Sequence, residues 1–158
     1  MTKASPAIQV ARQSDLAAIL DLYAQTGLDD GVRIGLPQAE ELFRRLAAYP
    51  HYRLFVVTLD GLAVASYALL VMDNIAHAGA PLAIVEQVAV SAAHQGRGLG
   101  TLMMHHAMAE ARTQGCYKLA LSSNVKRERA HDFYDTLGFT RHGYSFVVDL
   151  TPPAAPEL

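Results

Sequence analysis

The feature that most constrains this chain is an apolar strand that leads, through a short polar connection, into a glycine-rich turn and a helix. The strand pattern covers residues 85–90, and three alternate glycines lie between Gln95 and Thr101, after which a helical pattern begins. Glycine lets a backbone approach a ligand closely. The N-terminus of a helix presents unpaired N–H groups and a partial positive charge. The stretch therefore predicts a site for an anion such as a phosphate or pyrophosphate.

The spacing of these glycines excludes the two common nucleotide-binding motifs. Counted from Gly96, a dinucleotide fingerprint of the form G-x-G-x-x-G would place its third glycine on Thr101. A P-loop needs a Lys directly after its last glycine, and none follows here. What remains is the pattern Gln95-x-x-Gly98-x-Gly100, directly after a strand that ends in Val88-Ala89-Val90.

This pattern resembles the signature Q/R-x-x-G-x-G/A of the GNAT superfamily of acyl-CoA-dependent N-acetyltransferases, where it lies between the fourth strand and the third helix. A second segment, Asp132-Phe133-Tyr134-Asp135-Thr136-Leu137-Gly138-Phe139, is similar to the F-Y-x-x-L-G-F segment near the C-terminus of that family. The two motifs occur in the expected order and cover roughly the second half of the chain. On these residues the chain is identified as a member of the superfamily.

Alternating strand and helix patterns predict a single α/β or α+β domain. Strands are predicted at residues 8–10, 52–59, 62–72, 85–90 and 117–121, with two final strands at Phe139 and residues 144–150. The resemblance implies a mixed, mostly antiparallel sheet flanked by about four helices. It also implies that the fourth and fifth strands splay apart to admit acetyl-CoA. We expect the N-acetyltransferase domain to span residues 1–150 and the proline-rich residues 151–158 to be a disordered tail.

Composition narrows the classes of function. The chain has 158 residues, of which 51% are hydrophobic and 18% charged, so it is long and apolar enough to bury a core. A net charge of −2, without a long basic run, argues against a nucleic-acid partner. No apolar run approaches about 20 residues and the N-terminus leads into no signal-like segment. We therefore expect a cytoplasmic protein without membrane attachment.

The cysteine and histidine content predicts no metal. Cys116 is the single cysteine, which excludes an internal disulfide and a Cys-based zinc site. Among the seven histidines, His105 and His106 are neighbours on a helix and cannot face one ion together, and no H-x-x-x-H pair occurs among the others.

Glu86 is the candidate general base. It is the one formally charged residue in the largely apolar run from Pro81 to Val90, and burying a carboxylate without a partner is costly. In a regular strand its side chain shares a face with Val88, while Gln87 points to the other face. The resemblance implies that Glu86 accepts the proton of the amine, directly or through a water. The structural alternative is a carboxylate that pairs with a nearby Arg or His.

Tyr134 is the candidate general acid. Without the resemblance, Phe133-Tyr134 on a helix is typical of core packing. The resemblance implies instead that the phenol of Tyr134 donates a proton to the departing CoA thiolate. A phenol suits this role because it is protonated at neutral pH and can hydrogen-bond to sulfur.

The resemblance further implies which residues bind the acetyl-CoA cosubstrate. Backbone groups of the fourth strand would stabilise the oxyanion and pair with the pantetheine arm, where a bulge opens the ladder. Arg97 is either a charge partner of the pyrophosphate or a solvated loop residue, and Asn124 either contacts the CoA arm or caps a helix. The predicted cofactor-binding residues are Val88, Ala89, Val90, Gln95, Gly96, Arg97, Gly98, Leu99, Gly100, Thr101 and Asn124.

The predicted activity is transfer of an acetyl group to a primary amine of a small molecule. Gly115-Cys116-Tyr117-Lys118 and residues 85–90 are similar to segments of the glucosamine-6-phosphate N-acetyltransferases. That subfamily has Asp where this chain has Gln87, and Asp-Cys where it has Ser122-Ser123-Asn124, so other small amines and protein amines stay open as acceptors. A regulatory domain that binds acyl-CoA without turnover is the rival class, and a homodimer is an arrangement common among members.

Overall fold

A computed structural model of the protein describes residues 5–150, which divide into two compact units between Leu121 and Ser122. The first unit contains a five-stranded sheet with three α-helices, and the second contains one α-helix. In chain order the elements are β1 (Ala7–Val10), α1 (Leu16–Thr26), α2 (Leu36–Leu46), β2 (Tyr52–Leu59), β3 (Leu62–Met72), β4 (Leu82–Val90), α3 (Leu99–Thr113), β5 (Lys118–Ala120) and α4 (Glu128–Thr136).

The sheet follows chain order from β1 to β5, and strands that are consecutive in the chain commonly lie next to each other in a sheet. Strands β2 and β3 form an antiparallel hairpin in which Leu59 pairs with Leu62 across the turn Asp60-Gly61. Both turn residues have positive φ, 51° for Asp60 and 78° for Gly61, which suits the twist of a hairpin with a two-residue loop.

The last two strands of the sheet pair in parallel over a short length only. The ladder joins Leu82 to Lys118 and ends where Ile84 meets Ala120. Strand β4 continues to Val90, so residues 85–90 diverge from β5 while they keep their pairing with β3 on the other side. The prediction of a mixed, mostly antiparallel sheet with splayed fourth and fifth strands and four helices is confirmed.

Helices α1 and α3 cover opposite faces of the sheet. Ile19 of α1 packs with Val56 of β2, whereas the ring of His106 on α3 lies 4.8 Å from the ring of the neighbouring Phe55. Successive side chains of a strand point to opposite faces, so the two contacts define two layers. The buried face of α3 carries Leu99, Met103, Met104, Ala107 and Ala111.

The two final strands predicted at Phe139 and residues 144–150 are not formed in the described part of the chain. The side chains of Tyr144, Phe146 and Val147 are 92%, 93% and 96% exposed. Apolar alternation favours an extended backbone, but a strand also needs a neighbour to complete its ladder, so that expectation is wrong here.

Two further expectations concern the extent of the chain and its relation to membranes. The single domain expected for residues 1–150 stays a prediction, and the tail expected at residues 151–158 lies outside the described residues. Within residues 5–150, none of the helices is both long and apolar enough to cross a membrane.

Candidate active site

The middle of β4 contains a β-bulge, and this irregularity organises the site. Ser66 of β3 pairs with Ala89 and Ala68 pairs with Glu86, so two β4 residues, Gln87 and Val88, face one residue of β3. Gln87 has a φ of 55°, in the left-handed region that non-glycine residues seldom occupy. The extra residue re-aims the side chains that follow Glu86 and interrupts the ladder.

Glu86 is exposed, although the sequence argument assumed that it is buried. The bulge and the divergence of β5 leave this part of β4 open to solvent, and the carboxylate therefore needs no buried partner. No Arg, Lys or His nitrogen of the described residues lies within 4.0 Å of the carboxylate, so the alternative of a structural ion pair is not seen there. Burial, and after it the negative charge of Glu86, raises the pKa of the Tyr52 phenol.

The side chain of Gln87 is held by hydrogen bonds to two tyrosines of other elements. Its side-chain carbonyl Oε1 accepts a hydrogen bond from the Tyr23 hydroxyl at 3.0 Å, and its Nε2 donates to the Tyr52 hydroxyl at 3.4 Å. The pKa of Tyr52 is the one that burial and, after it, the Glu86 charge raise. The left-handed residue of the bulge interrupts the strict alternation of side chains along β4.

The two tyrosines around Gln87 are both held in the neutral form. Burial raises the pKa of Tyr23 to about 12, with a smaller contribution from Tyr52 and an opposing one from Ser66. Burial first and Glu86 second raise the pKa of Tyr52. The Ser66 hydroxyl is fully buried and, although it affects Tyr23, it makes no hydrogen bond of ordinary geometry to the described residues. Both phenols can thus donate hydrogen bonds at neutral pH.

Sequence reasoning missed the roles of Tyr23 and Tyr52. Tyr23 follows the apolar spacing of α1 and is read from sequence as a core residue, while Tyr52 is read as the first residue of a strand. The three side chains meet at a glutamine in the left-handed conformation, which no sequence pattern predicts.

The glycine-rich turn connects β4 to α3 as predicted. Gly96 and Gly98 have φ values of 73° and 79°, and Gly98 is the N-cap of α3. The first bond of the helical i to i−4 type is the one from the Leu102 N–H to the Gly98 carbonyl, at 3.0 Å. The N–H groups of residues 99–101 are therefore not used by the helix itself, as expected at a helix N-terminus.

The predicted cofactor residues of the first unit lie in two neighbouring segments of chain. Val88, Ala89 and Val90 form the end of β4. Residues 95–101 form the glycine-rich connection and the first residues of α3. The Gln95 side chain donates to the Val90 carbonyl at 3.5 Å, which joins the two segments. Leu99 is buried, and Arg97 is exposed without an ion pair to the described residues.

Tyr134 lies on α4 in the second unit, and it is half-buried. Its ring contacts Phe139 edge-on, with centroids 5.5 Å apart, and Phe133 at 5.2 Å. Burial raises the pKa of the Tyr134 phenol, and Arg127 opposes the rise. The hydroxyl therefore stays protonated well above neutral pH, which a proton donor requires.

Asn124, also in the second unit, is not the cap of α4. The N-cap is Arg127, and the Asn124 side-chain oxygen instead accepts a hydrogen bond from the Lys126 N–H at 2.9 Å. This is an Asx turn two residues long, a local structure that asparagine favours. Its backbone carbonyl also accepts from His131 at 2.9 Å. The helix-cap alternative for Asn124 is therefore wrong, and its contact with CoA stays a prediction.

Taken by itself, the first unit offers three chemical functions along β4 and the start of α3. Glu86 supplies an exposed carboxylate that can accept a proton. The bulge interrupts the ladder at residues 86–89, which makes backbone groups available to a ligand. The unused N–H groups of α3 can hold an anion. In residues 5–150 no group of three or more His, Cys, Asp or Glu side chains is placed to hold a metal ion.

Comparison with known proteins gives consistent results. The acetyltransferase (GNAT) family matches residues 16–139. A glucosamine 6-phosphate N-acetyltransferase of Trypanosoma brucei brucei is 27% identical over 144 residues, which cover 90% of this chain and 95% of the relative. A solved structure from Agrobacterium tumefaciens str. C58 is 30% identical, has a TM-score of 0.85 and covers 90% of this chain and 99% of its own. An acetyltransferase structure from Trypanosoma brucei is 26% identical with a TM-score of 0.77, and covers 92% of this chain and 100% of its own.

Proposed function

We propose that this chain, which belongs to the acetyltransferase (GNAT) family, moves an acetyl group from acetyl-CoA directly to a primary amine of a small molecule. That it is an N-acetyltransferase follows from the family and from its N-acetyltransferase relative. The donor and the acceptor are the proposed part. The observation that carries the proposal is the combination, along one stretch of chain, of an exposed carboxylate, a strand that is bulged against β3 and open toward β5, and a helix N-terminus entered through glycines.

Acetyl-CoA fits the segment between β4 and α3. The pyrophosphate would bind the N–H groups of residues 95–101, with the Thr101 hydroxyl as an added donor and Arg97 as a charge partner. Support comes from the Gly98 backbone, since its φ of 79° turns the chain into α3 and leaves the next N–H groups without helical partners. The pantetheine arm would pair with the edge of β4 that β5 leaves open beyond Ile84.

Glu86 would act as general base on the amine. An alkyl ammonium with a pKa near 10.4 is about three units from deprotonation at neutral pH, which corresponds to roughly 4–5 kcal/mol. An exposed carboxylate at the bulge, without a competing cation among the described residues, can accept this proton directly or through a water. The free amine then attacks the thioester carbonyl.

The negative charge that develops on the carbonyl oxygen would be stabilised by a backbone N–H within Val88-Ala89-Val90. Donors that point at a developing oxyanion are the usual source of such stabilisation, and the bulge in β4 would free such a donor from the ladder. When the tetrahedral intermediate collapses, Tyr134 would protonate the departing thiolate. Burial keeps this phenol protonated by raising its pKa.

The acceptor belongs to a broad class. The relative from Trypanosoma brucei brucei is named for glucosamine 6-phosphate, which makes a sugar phosphate one candidate among small amines. A cytoplasmic location and a homodimeric assembly are part of the proposal, and they rest on the sequence argument alone.

The test is release of CoA thiol from acetyl-CoA in the presence of a panel of primary amines that includes an amino sugar phosphate, a polyamine, an aminoglycoside and a peptide with a free N-terminus. We expect amine-dependent thiol release together with one N-acetylated product, identified by its mass. If only the peptide is acetylated, the acceptor is a protein amine. If acetyl-CoA binds and no amine is acetylated, the chain is a binding module.

A further inference from the structure

Two tyrosines form hydrogen bonds with the side-chain amide of Gln87, and this amide can still form further hydrogen bonds. A primary amide carries two N–H donors and two carbonyl lone pairs. Within the first unit, Tyr23 uses one lone pair at 3.0 Å and Tyr52 uses one N–H at 3.4 Å. One donor and one acceptor are left on a side chain that is exposed. Either assignment of the amide oxygen and nitrogen leaves the same pair, because each tyrosine hydroxyl can donate or accept.

The hydrogen bonds from Tyr23 and Tyr52 hold the remaining donor and acceptor of the Gln87 amide in a fixed place. Tyr23 belongs to α1 and Tyr52 to β2, so the Gln87 side chain is anchored to two different elements of the first unit. Gln87 itself sits in the left-handed conformation of the bulge, which costs free energy and persists only where the surroundings support it. A flexible surface glutamine has no such supports, and its amide would lose side-chain entropy when it bound a ligand.

A neutral donor and acceptor side by side favour a ligand group that can both donate and accept a hydrogen bond. A hydroxyl donates to the carbonyl and accepts from the N–H, so it satisfies both. A carboxylate or phosphate can use only the N–H, an ammonium only the carbonyl, and a methyl group neither. The nearest charge on the same strand is Glu86, one residue earlier, where the proposed function puts the reacting amine.

We propose that Gln87 is a specificity-determining residue that selects primary amines carrying a hydroxyl on the adjacent carbon, that is, 2-amino alcohols, with Tyr23 and Tyr52 as its positioning residues. This inference rests on the proposed function, because it places the amine at Glu86. Gln87 directly follows Glu86 in β4, so a hydroxyl on the carbon next to the amine is the substituent that would come closest to the Gln87 amide.

The experiment compares two acceptors that differ only in this group, 2-aminocyclohexanol and cyclohexylamine. The readout is the ratio of their kcat/KM values, measured by thiol release. Two exposed hydrogen bonds predict a preference of about tenfold for the amino alcohol in the wild-type protein. Gln87→Leu should bring the ratio close to one, and Tyr23→Phe should lower it in part because the amide loses one anchor. The KM for acetyl-CoA should not change in either variant.

Tyr49→Phe is the matched control. The Tyr49 ring lies edge-on to Tyr52 with centroids 6.4 Å apart, and it takes no part in the hydrogen bonds to Gln87. Its ratio should equal that of the wild type. Leucine is unbranched at Cβ like glutamine, so Gln87→Leu adds no new backbone strain at this position.

A second measurement separates this inference from the proposed function. Each amine is titrated calorimetrically into the wild-type protein and into Gln87→Leu, both with CoA present. Tighter binding of the amino alcohol to the wild type, lost in Gln87→Leu, supports the inference even if no thiol is ever released, and in that case the proposed function alone fails. Equal binding of the two amines, binding of neither, or a preference that survives in Gln87→Leu overturns the inference.

Discussion

Glu86 carries the proposed base chemistry, and its position explains why a carboxylate can remain at the middle of a strand. The bulge turns the following residue into the left-handed region, and β5 has already diverged, so the carboxylate stays in contact with solvent. A solvated carboxylate avoids the desolvation cost that the apolar sequence around it suggests. An incoming ammonium ion can therefore reach it.

Glu86→Gln should lower kcat/KM for the amine by about 10²- to 10⁴-fold, the usual contribution of a positioned general base. The shape of the side chain is kept and only the proton acceptor is lost, so acetyl-CoA affinity should be unchanged. The measurement is thiol release at saturating acetyl-CoA. Asp60→Asn is the matched control, because it makes the same change in the β2–β3 turn, about 20 Å along β3 from the partner of Glu86. A Glu86→Gln rate equal to that control would remove Glu86 from the mechanism.

Tyr134→Phe should reduce turnover by about 30-fold and leave acetyl-CoA binding nearly intact. A CoA thiol with a pKa near 8.5 lies about 1.5 units above neutral, so its protonation is worth roughly 2 kcal/mol. Tyr144→Phe, in the same unit and 92% exposed, removes an equivalent hydroxyl without a proposed role. Single-turnover thiol release for the two variants is the comparison. Equal rates would show that Tyr134 donates no proton in the rate-limiting step.

At the scale of secondary structure, α3 combines the proposed anion site at its start with a buried polar contact in its middle. The hydroxyl of Tyr67, on β3, bonds to Nδ1 of His106 at 2.6 Å, and Tyr67 is fully buried. Arg53 of β2 and Glu110 of α3 form an ion pair at 3.3 Å beside it. These contacts fix the side of α3 that faces β2 and β3, and so hold the helix that begins at Gly98.

Gly98→Asp should weaken acetyl-CoA binding by about fivefold or more relative to Gly98→Asn. Both side chains have the same shape and both tolerate the left-handed conformation that Gly98 adopts, with its φ of 79°. Only aspartate adds a negative charge beside the proposed pyrophosphate. Repulsion between unit charges about 4 Å apart is worth about 1 kcal/mol in bulk water and more near a protein surface. Calorimetric titration of acetyl-CoA into the two variants gives the ratio. Equal affinity would mean that the pyrophosphate binds elsewhere.

His106→Leu should lower the free energy of unfolding by about 1–3 kcal/mol at pH 7.5, because it leaves the buried Tyr67 hydroxyl without its partner. The double variant Tyr67→Phe/His106→Leu removes both polar groups and should regain part of this loss. Urea unfolding of the three proteins is the measurement. Equal stability of the single and double variants would show that Tyr67 finds another partner.

The same residues predict a pH dependence. Burial, reinforced by Arg53 and opposed by Glu110, lowers the pKa of His106 below its usual value near 6.5. Below that value the unfolded chain takes up a proton that the folded protein resists, so the stabilisation from a neutral His106 is present above pH 6.5 and declines as the pH falls. The advantage of the wild type over the double variant should therefore be smaller at pH 5 than at pH 7.5. An advantage that grows on acidification would contradict the neutral state of His106.

For the whole molecule, the sequence predicts best what local physics determines. The bounds of β2 and β3 follow from apolar runs separated by Asp60-Gly61, a turn whose positive φ values aspartate and glycine accept. The glycine turn before α3 follows from spacing in the same way. Strand β4 begins at Leu82, earlier than expected, because pairing with β3 and β5 recruits residues 82–84.

What the sequence does not predict depends on contacts between distant residues. Gln87 contacts Tyr23 and Tyr52 at a bulge that breaks the alternation of β4, and the bulge depends on the register with β3. Glu86 is exposed for the same reason, against the expectation from its apolar neighbours. Residues 139–150 show the converse, since an apolar alternating pattern there forms no strand in the described part of the chain.

The most direct test of the central claim is acetyl-CoA binding to the purified protein, measured by calorimetry and by thermal shift. At about 100 times its dissociation constant, a ligand of the folded state adds roughly 2.7 kcal/mol of stability, which raises the melting temperature measurably. We expect saturable binding of acetyl-CoA and of CoA, both weakened in Gly98→Asp. Absence of binding for both ligands would contradict the proposed site at the start of α3 and the donor assigned to it.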